Sequence, residues 1–389
     1  MKRALTFLAV FLAVTIAVYS MVIGFNFTAF ETLFKNKDGM VEGSEYVPNT
    51  YSLKGLTEFI GDHPEFASIT SYNVNDPDSG IFYQSDKLIS LGATTNLFLM
   101  MEYERQVEAG MLDPEEEIAL AEIEKFALPE ISINSHQDLL SEFENELVPL
   151  DNIVAAMIRN SDLVAADYLW FKLGEENIRN TMDSLSLDGD PLPLPFSGLY
   201  ASLNAEVLPK DQLENMSDSS FHAYVLDQAY KIKEDPAYNE EIKELFDDTR
   251  IGLSFIEERD ALKYFPQTTT RELAGMMQKL VQGDLFGEKI DNRIKEKLRW
   301  PVGSETIDRS FSDYGAIYDM RMGLLSGIDF GTSVYDGHTS VQAVFFDRLP
   351  VAFWLHMSSN HMQEDYQQRL IWDPALYQTT VTEIRGDNE

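Results

Sequence analysis

The order of strand-like and helix-like segments constrains this chain most. Two strand-like segments stand near its start, Ala67–Val74 and Gly80–Gln84, joined by the turn string DPDSG. Leu53–Ile60, just before them, reads as a helix. After them, almost everything to about Leu280 reads as helix and loop. From Val302 onward the pattern returns to short segments rich in Val and Phe. Met320–Leu325, Ser340–Phe346 and Val351–Met357 read as strands, and Gln363–Leu376 as a closing helix. Strands at both ends share one sheet only if the middle is inserted between them. The expected fold class is therefore α/β of the α+β kind: an antiparallel sheet built from both chain ends, flanked by helices, with an inserted all-helical lobe. The strongest helix is Thr94–Ala109. Leu97, Phe98, Met101 and Val107 recur along it, Gly110 stops it, and Thr94 or Thr95 stands where a cap belongs.

Charge and composition exclude several functions. The 389 residues carry 30 Lys plus Arg against 65 Asp plus Glu, a formal charge of −35. Such a surface repels phosphate backbones, so nucleic acid is not an expected partner. The chain has no cysteine, which excludes disulfides, thiolate metal sites and cysteine nucleophiles. At the N-terminus, Lys2 and Arg3 precede an apolar run with no charge until Glu31. Ala4–Phe25 alone is long enough to span a hydrocarbon core of roughly 30 Å. Residues 1–30 are read as an uncleaved signal anchor, with cleavage after Ser20 as the alternative. Positive charge before the run places the N-terminus inside and the bulk of the chain outside. The expected location is a bacterial inner membrane, single-pass, with the C-terminal domain in the periplasm. Residues 31–50 are polar with scattered glycine and read as a linker, and residues 51–389 as the globular domain.

Three local strings carry a family resemblance. ATTNLFLMMEYERQVEAGMLDPEEEI at 93–118 ends its helix in an acid-Ala-Gly turn. RNSDLVAADYL follows at 159–169, and TTTRELAGMMQKLVQGDLF stands at 268–286. Together with the element order, they resemble the serine beta-lactamase and penicillin-binding protein superfamily over roughly residues 51–389. The resemblance implies a helical lobe at about 93–285, within which 204–266 reads as a family-atypical helical insertion. The family's Ser-x-x-Lys falls on Ala93 and Asn96. Its Ser-Asp-Asn falls on Ser161, Asp162 and Leu163. Its Lys-Thr-Gly, on an edge strand lining the cleft, finds its best counterpart in Asp329, Gly331 and Thr332, with Tyr335-Asp336-Gly337 as another register. A loop that supplies a deacylating glutamate in some members corresponds to 190–203, which carries only Asp190.

Acylation of that type needs a hydroxyl at a helix start and a base one turn later. Ala93 has no hydroxyl and Asn96 no basic nitrogen. Independently of alignment, no lysine in the chain has a serine three residues before it, and the last lysine, Lys297, precedes all the C-terminal strands. One charge at about 4 Å is worth about 4 kcal/mol at an effective dielectric near 20. Replacing two cations by neutral Asn96 and anionic Asp329 therefore disfavours an anionic ligand. Backbone donors do not depend on side chains, and the resemblance places them at Ala93 and Thr332. The expected ligand cleft comprises Ala93, Thr94, Asn96, Ser161, Asp162, Asp329, Gly331, Thr332 and His338.

The main expectation is a membrane-anchored pseudoenzyme that binds or scaffolds, with a cell-wall fragment or envelope protein as partner. No cofactor or metal is expected; His356 and His361 read as surface histidines. Two alternatives stay open. One is a serine-type hydrolase with a rewired site using Thr94, Thr95 or Ser161 with His338; Ser90 fits it poorly, since Lys87 precedes rather than follows. The other is a structural subunit of an envelope complex. Asp162 reads as a turn residue accepting backbone hydrogen bonds.

Overall fold

A five-stranded antiparallel sheet ties the two ends of the chain together. The structure is a computed structural model that describes residues 35–129, 131, 133–143, 147–249, 253–298, 316–322, 327–333 and 337–385. In chain order the elements are α1 (Leu53–Asp62), β1 (Ala67–Asn73), β2 (Asp76–Tyr83), β3 (Ile89–Ser90), α2 (Asn96–Glu108), β4 (Glu117–Ala119), α3 (Ile133–Glu142) and β5 (Leu147–Pro149). The lobe continues with α4 (Leu150–Arg159), α5 (Leu163–Leu173), α6 (Glu175–Leu185), α7 (Phe196–Leu203), α8 (Asp218–Glu234), α9 (Pro236–Thr249) and α10 (Phe255–Ala261). Then come β6 (Gln267–Thr268), α11 (Thr270–Gln282), α12 (Glu288–Lys297), β7 (Ala316–Met322), β8 (Gly327–Ser333), β9 (Thr339–Phe346), α13 (Val351–Ser359), α14 (Met362–Trp372) and α15 (Pro374–Arg385). Helices dominate. The main sheet runs β2-β1-β9-β8-β7, and two short ladders join β3 to β6 and β4 to β5.

The ladder between β1 and β9 runs from Ala67 opposite Phe346 to Asn73 opposite Ser340, so it brackets the whole helical block. Side-chain alternation divides the two faces. Ile69 and Val344 face the terminal helices, where Leu56, Ile60, Phe353 and Tyr366 form the smaller core. Tyr72, Val341 and Ala343 face the lobe and its larger core. Ser68 and Thr70 both bond the Thr270 hydroxyl at the start of α11, at 2.8 and 3.0 Å.

Several expectations need correction. Val351–Met357 is not a strand: it lies within α13, which starts after Pro350 and buries Val351, Phe353 and Met357. A seven-residue apolar run carries no period that separates a buried strand from a buried helix. The expected closing helix is two helices. Asp373 accepts the amides of Ala375 and Leu376 and restarts the chain with Pro374 at the first position. The hairpin turn falls at Val74-Asn75 rather than at DPDSG, because Asn73 Oδ1 accepts the Asn75 amide at 2.8 Å. Pro77 is tolerated in β2 because β2 is an edge strand.

The expected linker over 31–50 is, from Lys35 onward, a strap packed on the body. Asn36 is buried and accepts the Phe255 amide at 2.6 Å. Glu42 takes both carboxylate oxygens to Arg259 Nη1 at 2.6 Å and accepts the Val351 amide at 3.2 Å. Gly43 sits at φ +78, where an added Cβ would meet Pro350 at 2.4 Å. Polar residues hold this segment through directed bonds, and a polar composition alone reads as a linker. The 204–266 stretch is likewise integral: Phe221, Val225, Ile232 and Phe246 belong to the larger core, and Gly198 lets α7 approach α8 closely. Among the described residues no helix is long and apolar enough to cross a membrane. The expected anchor over 1–30 lies outside the described residues.

Burial raises the Glu42 carboxyl, but bonds from Arg259 and Val351 outweigh it and hold it below the ordinary carboxylate value. Glu42→Ala should therefore loosen the strap. The expected outcome is a loss of about 1–3 kcal/mol of stability in urea unfolding, with new proteolytic cleavage between Lys35 and Thr50.

Candidate functional site

The expected site residues gather where the lobe's central helix begins. A tight helical turn over Gly92–Thr95 runs directly into α2, so the helix opens beside Ala93. Thr95 holds the N-cap position, but its side chain makes no capping bond. The Thr95 hydroxyl donates back to the Gly92 carbonyl at 3.1 Å. Thr94 is 2% exposed, and its hydroxyl has no hydrogen-bond partner among the described residues. Asn96, one turn beyond Ala93, is 1% exposed. Its Nδ2 donates to the Met157 carbonyl of α4 at 3.3 Å. Asn96 is thus a neutral amide tied to the backbone of the next helix.

Asp162 caps α5. One of its oxygens accepts the amides of Val164 and Ala165 at 2.9 and 3.1 Å, the turn role read from the sequence. Its other oxygen bonds His136 Nδ1 on α3 at 2.8 Å, and both side chains are buried. Ser161, half-buried, bends the chain into this cap at φ +52, and Leu163 opens α5 half-buried. His136 is absent from the sequence reading, and nothing local marks it: its partner is 26 residues away.

A second buried carboxylate escaped the sequence as well. Asp167, one turn into α5, accepts the amides of Phe196 and Ser197 at 2.6 and 2.7 Å and so fixes the start of α7. It pins the 190–203 stretch to the helix that follows Ser161. Complete burial pushes its carboxyl up to about 7, against the pull of the hydrogen bonds from Ser197 and Phe196. Asp190 lies at the other end of that stretch, exchanging backbone bonds with Gln267 at 3.0 and 2.9 Å. The last lysine of the chain is also committed. Lys297 Nζ stands 2.5 Å from Asp151 and 3.6 Å from the buried Glu104.

The third-motif assignment is corrected by topology. Asp329, Gly331 and Thr332 lie on β8, which is interior: Asp329 pairs with Gln342 on β9 and with Arg321 on β7. An interior strand directs its amides into the ladders on both sides, so Thr332 is not placed as an edge donor. The edge on this side is β7. The string Asp-Phe-Gly-Thr resembles the motif locally, but strand order is a long-range property that a short string does not carry. The other register, Tyr335-Asp336-Gly337, falls largely on residues 334–336, which lie outside the described residues. His338 is exposed, one residue before β9, and Ser90 sits in the short β3 ladder.

A family model described as the beta-lactamase enzyme family matches residues 54–348. The chain belongs to this family. Solved structures agree on the fold. A beta-lactamase from Sphaerobacter thermophilus superposes with a TM-score of 0.51 at 14% identity, over 82% of this chain and 96% of that one. A beta-lactamase from Chitinophaga pinensis gives 0.50 at 11% identity, over 83% and 99%. The chromosome-encoded beta-lactamase of Vibrio parahaemolyticus gives 0.50 at 10% identity, over 82% and 97%. At such identities the likeness speaks of the fold alone. No curated protein matches the sequence significantly. Within the family fold, the helix that opens beside Ala93 is present, and Ala93 and Asn96 stand where that helix begins.

The elevated Asp167 carboxyl has a pH signature. An unfolded aspartate titrates near 4, so between about 4 and about 7 the folded chain holds the extra proton. Stability from this group is therefore present at low pH and falls as pH rises through that window. The thermal midpoint of the wild type, minus that of Asp167→Asn, should decline from pH 4 to 7; a flat difference would remove the assignment.

Proposed function

We propose that this beta-lactamase family member does not acylate and instead binds or scaffolds from the outer face of a bacterial inner membrane. In this reading the N-terminal apolar run anchors it and its domain lies in the periplasm. Its partner is a cell-wall fragment or an envelope protein. The observation that carries the reading is Asn96. It lies one turn after a residue with no hydroxyl, buried and neutral, with its Nδ2 donating to the Met157 carbonyl. Neither Ala93 nor the Asn96 amide can take a proton from a nucleophile. Leu163 adds a third neutral substitution at the family's motif positions, and no lysine follows Lys297.

A rewired hydrolase is the second reading, and one observation favours it: the His136–Asp162 pair at 2.8 Å resembles a base held by a carboxylate. Its geometry weighs against that use. His136 Nε2 has no hydrogen-bond partner among the described residues, so no described hydroxyl lies within proton-transfer reach. Asp162 is at the same time committed to capping α5.

Chemical labelling separates the two readings. The full chain is incubated with a fluorescent penicillin and with a fluorophosphonate, and its intact mass is measured. The expected outcome is unmodified protein with both probes. A stoichiometric adduct at one residue would establish the hydrolase.

A further inference from the structure

Among the described residues, nine large apolar side chains are exposed, and three of them stand on the strap and on α13, to which the strap is bonded: Met40 at 46%, Val41 at 63% and Trp354 at 44%. The strap joins them. Its Glu42 carbonyl accepts the Ala352 amide at 3.0 Å, and Gly43 lies against Pro350 and Phe353. Trp354 stands one helical turn beyond Pro350, whose carbonyl accepts its amide at 2.8 Å. Phe353 and Met357 turn the other side of α13 into the core. Trp354 is thus left outside on the helix to which the strap is bonded, and on the strap Lys35, Lys37, Asp38 and Glu45 are exposed.

The sequence limits how far this face can lie from a membrane. The apolar run ends at Phe25, or at Phe30 if the uncharged stretch is followed to its end. The ten residues from Phe25 to Lys35 span roughly 35 Å at full extension. Slack ends at the strap, because Asn36 and Glu42 are bonded into the body through Phe255, Arg259 and Val351. A body tethered this closely meets the bilayer at mM effective concentration, so a weak contact suffices to orient it. Aliphatic and Trp side chains beside lysines suit the headgroup boundary. At a formal chain charge of −35, with Asp38, Glu42 and Glu45 on the strap itself, attraction to anionic lipid does not select this face, and its apolar side chains and the short tether carry the contact.

We infer that the surface formed by Met40, Val41 and Trp354 rests on the lipid headgroup region beside the anchor and holds the domain in a fixed orientation. This rests on the anchor reading given under Proposed function. The contact fixes which parts of the domain point outward to a cell-wall or envelope partner.

The chain has no native cysteine, so one introduced thiol takes one label. Full-length Val41→Cys carries a bimane label at an exposed site. Full-length Met111→Cys, 62% exposed in the helical lobe, is the comparison. Each is reconstituted in phosphatidylcholine vesicles that contain lipid with a nitroxide near the headgroup, after circular dichroism shows the fold intact. The expected result is flotation of both chains with the vesicles and quenching several-fold stronger at position 41 than at 111. Flotation with equal quenching overturns the lipid contact alone and leaves the face to a protein partner. A chain that fails to float overturns the anchor, and the inference with it.

Discussion

The pairing of β1 with β9 is the interaction on which this structure depends. Residues 67–73 meet residues 340–346 across the whole intervening chain. Closing so long a loop costs entropy that local structure cannot repay, so the ladder must be supported on both faces. One face is covered by α1, α13, α14 and α15, the other by α11 and the lobe. The Ser68–Thr270–Thr70 hydroxyl cluster sits at that second junction and registers lobe against sheet. The helix that opens beside Ala93 is held by the same closure: β3, just before it, pairs with β6, just before α11.

A family fold preserves a site only as far as its side chains do the chemistry. Here the scaffold keeps a helix start in place, and the residues around it are spent on structure. Asn96 bonds a backbone carbonyl, Asp162 caps a helix and holds His136, and Asp167 fixes the start of α7. Each is buried, and most of their polar atoms find a partner within the protein, Asn96 Oδ1 and His136 Nε2 excepted among the described residues. The cations follow the same rule. Lys297 and Arg293 neutralise Glu104 and Asp151 within the lobe. Burial raises the Glu104 carboxyl, and the two cations pull it back.

Much of the fold was legible because periodicity and caps are local. The helix over 96–108, the strand over 67–73 and the capping aspartate at 162 all announce themselves within a few residues. What was illegible is long-range. The apolar segment after Pro350 carries strand-like composition but folds as α13, with Val351, Phe353 and Met357 turned into the core and Trp354 left outside. The strap at 35–46 looks like a linker until Arg259 and Phe255, more than two hundred residues away, supply its partners. Asp329 looked like part of an edge motif until the ladders placed β7 outside it. At the site, the substitutions at 93, 96 and 163 could be read directly, whereas the His136–Asp162 pair needed coordinates.

The central claim is that the fold of this family persists here without its reaction. Steady-state turnover of a chromogenic cephalosporin by the purified full chain tests it most directly. The account predicts a rate indistinguishable from that of the same protein after thermal unfolding. Turnover by the native chain that vanishes on substitution of Thr94, Ser161 or His136, with the fold retained, would contradict it.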